Sequence, residues 1–129
     1  MPLLFAVLLA TSYDPSVLTV PLEATSTPQE LWIEKLHECE NRNNTPRILD
    51  TNGYYSYGYL MFQMGTWLSY GKKFGATREN ISSSTLQIKV AKSMLDAGGW
   101  RHWYTCAKKV RTVLGDYPTP VHNPTIPDS

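Results

Sequence analysis

The chain has 129 residues, 42% of them hydrophobic and 18% charged, which fits one globular domain and not a disordered segment. Twelve basic and eleven acidic side chains leave a formal charge of +1, so the basic excess of a nucleic-acid binder is missing, as is a polybasic membrane patch. No apolar run approaches the ~20 residues that would span a bilayer, so no stable membrane insertion is expected.

Residues 1–34 contain neither Lys nor Arg. Leu3–Ala10 has the length and apolarity of a signal-peptide h-region, although the positive n-region and a clean small-residue cleavage site are missing. It reads either as a signal peptide or as a loosely docked tail. The Ser/Thr/Pro-rich stretch that follows reads as a linker, so residues 1–27 form one unit. A domain is expected over 28–116. Residues 117–129, with four prolines in 13 residues, form an extended tail.

Pro28 to about Asn41 predicts a helix. Thr27 stands at the N-cap position, Pro28 at the first helical position and Glu30 three residues after the cap. At 100° per residue, Trp32, Ile33, Leu36 and Cys39 share an arc of about 120°. Glu34 and Glu38 lie roughly opposite, but Glu40 falls inside the apolar arc. A carboxyl on a core-facing stripe loses hydration and is held protonated, as a glycosidase requires of the acid that protonates a leaving oxygen. The competing reading is a helix-end Glu that escapes to solvent among Asn41, Arg42, Asn43 and Asn44.

Asp50–Tyr59 carries an Asn52-Gly53 turn signal flanked by tyrosines, which predicts a small β-hairpin. Tyr54, Tyr55 and Tyr57 offer aromatic faces on which sugar rings stack; each can equally be a strand residue chosen for β-propensity. Asp50 is the only acidic residue between Glu40 and Glu79, and is either a second carboxylate of the site or an Asx-turn residue. A second helix is expected from near Thr66 to about Lys73. A third, from Ser82 to Asp96, is apolar over more than half its circumference and so is central, with Gln87 inside the apolar arc as a core amide satisfied by backbone. A short segment carries Trp100 and Trp103, and a last helix starts at Cys106 and runs to about Leu114. Cys39 and Cys106 bracket the domain, as a bridge or as two buried thiols. The three histidines lack metal-ligand spacing, and no cofactor motif occurs, so neither metal nor cofactor is expected.

Taken in order, several motifs resemble a known family. Cys39-Glu40-Asn41-Arg42-Asn43 closes an apolar helix; Asn52-Gly53-Tyr54-Tyr55 follows. Then come Gly58, Leu60-Met61-Phe62-Gln63 and Gly65-Thr66-Trp67, then Gln87-Ile88-Lys89-Val90-Ala91, and finally Gly99-Trp100-Arg101-His102-Trp103 with Cys106. This set, over residues of about 30–110, resembles the lysozyme-like catalytic domain of resuscitation-promoting factors and related lytic transglycosylases. The resemblance implies a mostly α (α+β) lysozyme-like fold with a small β-hairpin and one disulfide, Cys39–Cys106. It implies cleavage of the β-1,4 bond between N-acetylmuramic acid and N-acetylglucosamine in peptidoglycan, with Glu40 as the acid. Gln63, Trp67 and Trp103 join the tyrosines as candidate substrate contacts. In an ungapped match from Gly58 to Trp67 the family's Gln falls on Met61, and Gln63 stands two residues later. The rival readings are a hydrolytic muramidase, which would need a partner such as Asp50, and a peptidoglycan-binding module without activity. A monomer acting outside the cell or in the envelope is expected, of bacterial or phage origin.

Overall fold

Thr27 starts the first helix by a reciprocal exchange. Its hydroxyl accepts from the Glu30 amide at 3.0 Å, and the Glu30 carboxylate accepts from the Thr27 amide at 3.0 Å. Helix α1 (Pro28–Glu40) follows, with Trp32, Ile33 and Leu36 buried on the face the apolar arc marks out. The computed structural model describes residues 26–119. The expectations for a signal peptide at Leu3–Ala10 and for most of the tail lie outside the described residues.

Strands β1 (Arg47–Leu49), β2 (Tyr55–Tyr57) and β3 (Phe62–Gln63) form one antiparallel sheet in the order β1-β2-β3. Ile48 pairs with Ser56, and Ser56 in turn with Gln63. The hairpin expected around Asn52-Gly53 is present, with Gly53 at φ +87°. The third strand is an addition to it, made by the chain turning back at Gly58–Met61.

Helix α2 spans Met64–Gly71, starting two residues before Thr66, and a 3-10 turn follows at Lys72–Phe74. Helix α3 spans Ser84–Asp96. It begins two residues later than expected, because Ser83 serves as its N-cap and its hydroxyl accepts from the Leu86 amide at 3.2 Å. A 3-10 turn at Trp100–Trp103 leads into α4 (Tyr104–Leu114). The fold is mostly α-helical with a small sheet, and Cys39 and Cys106 are joined, tying the end of α1 to the start of α4.

The core gathers on α3. Val90 and Ala91 are fully buried against Trp32, Leu36, Leu60, Trp67 and Ala107 from the other elements. Each buried indole N–H finds a backbone carbonyl: Trp32 that of Gly115 at 2.9 Å, Trp67 that of Thr77 at 2.9 Å, and Trp103 that of Leu60 at 2.8 Å. A buried donor left unpaired is costly, so these rings fill the core and clip three loops to it. Tyr117, at the start of the expected tail, packs edge-on against Trp32 with ring centres 5.4 Å apart.

Gln87 joins the sheet to the core. Its side chain accepts from the Leu60 amide at 2.7 Å and donates to the carbonyls of Tyr57, at 2.8 Å, and Ile81, at 2.5 Å. The buried amide is satisfied by backbone, as expected for a polar residue on an apolar helix face. Gly58 makes the close approach possible. A Cβ there would lie 2.7 Å from the Gln87 Nε2, and its φ of +74° belongs to the left-handed region.

Candidate active site

Glu40 ends α1, directly after the bridged Cys39. The next residue sets the direction in which the chain leaves. Asn41 is buried; its amide donates to the carbonyls of Thr45 and Gly58, both at 2.8 Å, and its Oδ1 accepts from the Thr45 amide at 2.7 Å. Asn41 therefore pins the helix end to the turn between β2 and β3. Sequence reading places Asn41 at the helix stop and in the polar cluster after Cys39-Glu40; its burial carries no signal of its own in one sequence.

Glu40 faces a cleft of about 360 Å³ whose other walls include Ile48, Asp50, Ser56, Met61, Gln63 and Trp103. The helical stripe has placed this carboxyl at the boundary of core and cleft, half-buried. Its pKa is pushed up to about 7, chiefly because burial removes hydration from the carboxylate and additionally because of the negative charge of Asp50.

Asp50 lies just past β1. Its backbone closes the hairpin loop, donating to the Tyr54 carbonyl at 2.8 Å and accepting from the Gly53 amide at 3.0 Å. Its side chain belongs to a separate network. Oδ2 accepts from the Ser56 hydroxyl and, at 3.2 Å, from the Gln63 amide. Gln63 and Asn52 exchange amide hydrogen bonds, at 3.1 and 3.2 Å. The Asx-type turn is made by Asn52, whose Oδ1 accepts from the Tyr54 amide at 3.1 Å, and not by Asp50. The buried Ser56 is the partner that sequence reading misses. A small polar residue between tyrosines looks like a surface position until the sheet pairs it with Ile48 and Gln63.

Gln63 thus occupies the cleft wall, and so does Met61, on which the ungapped match sets the family's Gln. Met61 holds φ +53°, rare for a non-glycine residue and found here in a cleft-lining turn.

Tyr54, Tyr55 and Tyr57 line a second hollow of about 550 Å³, together with Arg78. It adjoins the Glu40 cleft, sharing Gln63 and Thr66 with it. Tyr54 is 68% exposed and the Arg47 guanidinium covers the Tyr55 ring at 4.2 Å, so Tyr54 has the freer ring. Trp67, expected as a substrate contact, is fully buried. Its ring packs edge-on to Phe62 and its N–H is used by Thr77, so it has no face to offer a ligand; it belongs to the core. Trp103 is also largely core, although it forms part of the cleft wall. His102 is a cleft residue that sequence reading passes over. His37 is structural: its Nδ1 donates to the Tyr59 carbonyl at 2.8 Å and its ring stacks on Tyr59 at 3.7 Å. Among the described residues no cluster of three or more His, Cys, Asp or Glu could hold a metal ion.

The arrangement therefore offers a protonated carboxylic acid, a carboxylate held by two donors, and aromatic rings leading away. A family model described as "Transglycosylase-like domain" matches residues 27–106, 80 of the 129 residues. No curated protein and no solved structure matches the chain.

Proposed function

The chain belongs to the transglycosylase-like domain family, and from that premise we propose that it is a lytic transglycosylase cleaving the β-1,4 bond between N-acetylmuramic acid and N-acetylglucosamine in peptidoglycan. The observation that carries the reading is Glu40, a cleft carboxyl whose burial holds it protonated up to about neutral pH.

Glu40 donates its proton to the bridging oxygen as the bond to the muramyl anomeric carbon breaks, through an oxocarbenium-like transition state. The muramyl N-acetyl oxygen closes on that carbon. Glu40, now a carboxylate, takes the proton of the muramyl 6-hydroxyl while that oxygen attacks the same carbon. The N-acetyl group is released and an anhydro ring is formed, so Glu40 ends protonated as it began. Asp50, oriented by Ser56 and Gln63, contributes its charge. It disfavours ionisation of Glu40 and favours the positive charge that develops on the sugar. Tyr54, Tyr55 and Tyr57 receive the strand beyond the scissile bond.

Asp50 in the same cleft also favours a second reading, a hydrolytic muramidase in which it supports attack by water. Mass spectrometry of muropeptides released from purified peptidoglycan separates the two. Anhydro-muramyl ends, lost in Glu40→Gln, are expected; reducing muramyl ends would replace the first reading by the second. Release of nothing by the wild-type chain would overturn both. Removing a general acid costs about 10²–10⁴-fold, so Glu40→Gln should fall at least 100-fold in rate. The disulfide agrees with work outside a reducing compartment, on a secreted or envelope-held, monomeric domain over residues 28–116.

A further inference from the structure

The near-neutral total charge conceals a local excess. Residues 97–115 carry Arg101, Lys108, Lys109 and Arg111 and no Asp or Glu, so the rest of the chain holds more acid than base. This segment is the Trp100–Trp103 turn with helix α4, and it fixes three of its cations on aromatic rings. The Arg101 and Arg111 guanidiniums both lie over the Trp100 ring, at 4.7 and 4.3 Å from its centre. The Tyr104 ring stacks against Trp100 with centres 5.8 Å apart, and the Lys108 ammonium lies 5.0 Å from the Tyr104 centre. Tyr104, Lys108 and Arg111 follow at helical spacing and share one face of α4.

Rings used in this way are no platform for a sugar or a base, because cations of the chain already cover them. They hold the cations instead. A stacked guanidinium keeps its charge and its planar fork of donors, which suits it to an anion with several oxygens, phosphate above all. Arg111 donates its Nε to Asp116 at 2.8 Å, whereas Arg101 and Lys108 are exposed and pair with no carboxylate of the described residues. Two guanidiniums against one indole also repel each other, and an anion bound to both relieves that repulsion. None of these side chains lines the Glu40 cleft, but the turn that carries Trp100 and Arg101 continues into the cleft residues His102 and Trp103. The face therefore lies beside the cleft and is free to meet a second component of the surface that holds the substrate.

We propose that this face docks on a polymer that carries phosphodiester groups along its length, in the same wall as the glycan, and so keeps the chain beside its substrate. The proposal rests on the peptidoglycan reading only for where the partner is met. A row of cations along a helix is matched by charges that recur along a chain. Peptidoglycan has carboxylates of its own, on the muramyl lactyl group or on the peptide attached there, and removal of the phosphodiester polymer leaves them in place.

Binding is read by sedimentation of the full-length Glu40→Gln chain with purified walls, so that no cleavage intervenes. One preparation keeps its phosphodiester polymers; the other has lost them to hydrofluoric acid, with glycan and peptides retained. Affinity for the first should exceed that for the second by about 10-fold at low salt, and the difference should shrink as salt is raised. Adding Arg101→Gln and Lys108→Gln should lower binding on the first preparation to the level of the second and leave the second unchanged. Lys72→Gln with Lys73→Gln removes the same charge elsewhere and should change neither. Equal affinity of the Glu40→Gln chain for the two preparations would overturn the proposal, whatever the further variants do. Equal loss on both preparations with Arg101→Gln and Lys108→Gln would overturn it in favour of the carboxylates. An equal effect of Lys72→Gln with Lys73→Gln would overturn it in favour of net charge alone. Tighter binding to phosphatidylglycerol vesicles than to the polymer-bearing walls would overturn it in favour of a lipid surface. A wild-type chain that binds the polymer and releases no muropeptide would overturn the reaction and leave this face standing.

Discussion

Glu40 is the acid of the proposed reaction and also a local cost to the fold. Its carboxyl titrates near 7 in the folded chain against about 4.5 when exposed, so between those values the native state holds a proton that the unfolded state has lost. Stability is therefore full below about pH 4.5 and falls as pH rises towards 7, by up to about 3 kcal/mol. Glu40→Gln removes the ionising group. It should raise the melting temperature at pH 8 and leave it nearly unchanged at pH 4, which calorimetry at the two pH values checks. The acid works only while protonated, so activity should decline as pH rises through about 7. Asp50→Asn keeps an oxygen to accept from Ser56 and Gln63 but removes the charge. The alkaline limb of the pH–rate profile should then move to lower pH, by less than the whole distance from 7 to 4.5, because burial is the larger cause. An unmoved limb would mean that the two carboxylates do not sense each other. The periodicity of α1 makes Glu40 legible in the sequence, because one helical stripe decides which way it faces. Asp50 stays ambiguous there, since its role depends on Ser56 and Gln63, which only strand pairing brings beside it.

The elements divide in the same way. Helix α1 is readable because its cap, its Pro28 and its apolar stripe all agree. Helix α2 is not. Gln63 makes no side-chain cap bond, and the helix grows directly out of β3, so nothing local marks Met64 as its start. Trp67 is misread for a related reason. A tryptophan in a site motif suggests a sugar platform, but its environment is set by α3 and the Thr77 carbonyl, both outside that motif. The junction of sheet and α3 is the most exacting contact between elements. Gly58→Ala there adds a methyl group against the Gln87 amide at a positive φ. Strain and overpacking together should cost about 2–3 kcal/mol. Urea unfolding should show a lower midpoint, and because Gly58 also accepts from Asn41, the turn behind Glu40 should be disturbed with it. A midpoint equal to the wild type would mean that the Gln87 side chain can withdraw without loss.

Across the whole molecule, the fold class follows from features that the sequence displays, while the cleft is made where α1, the hairpin and the Trp100–Trp103 turn converge. The bridge between Cys39 and Cys106 ties the first of these to α4, which follows directly on the third. It closes a loop of 67 residues, for which chain entropy gives about 4 kcal/mol. Reduction should lower the urea midpoint accordingly, and should lower activity more steeply than stability alone accounts for, since Glu40 is next in the chain to Cys39. The same bond has a topological consequence. The chain from Cys39 to Cys106 is a covalent ring, and Glu40, Asp50, Ser56, Gln63 and His102 all lie on it. A protease that cuts the ring once yields no separate fragments, only an opened loop whose two new ends remain on one molecule. Cuts before Cys39 or after Cys106 leave the ring whole. An enzyme built this way can be nicked in its working half and still carry every group of its cleft on a single covalent body.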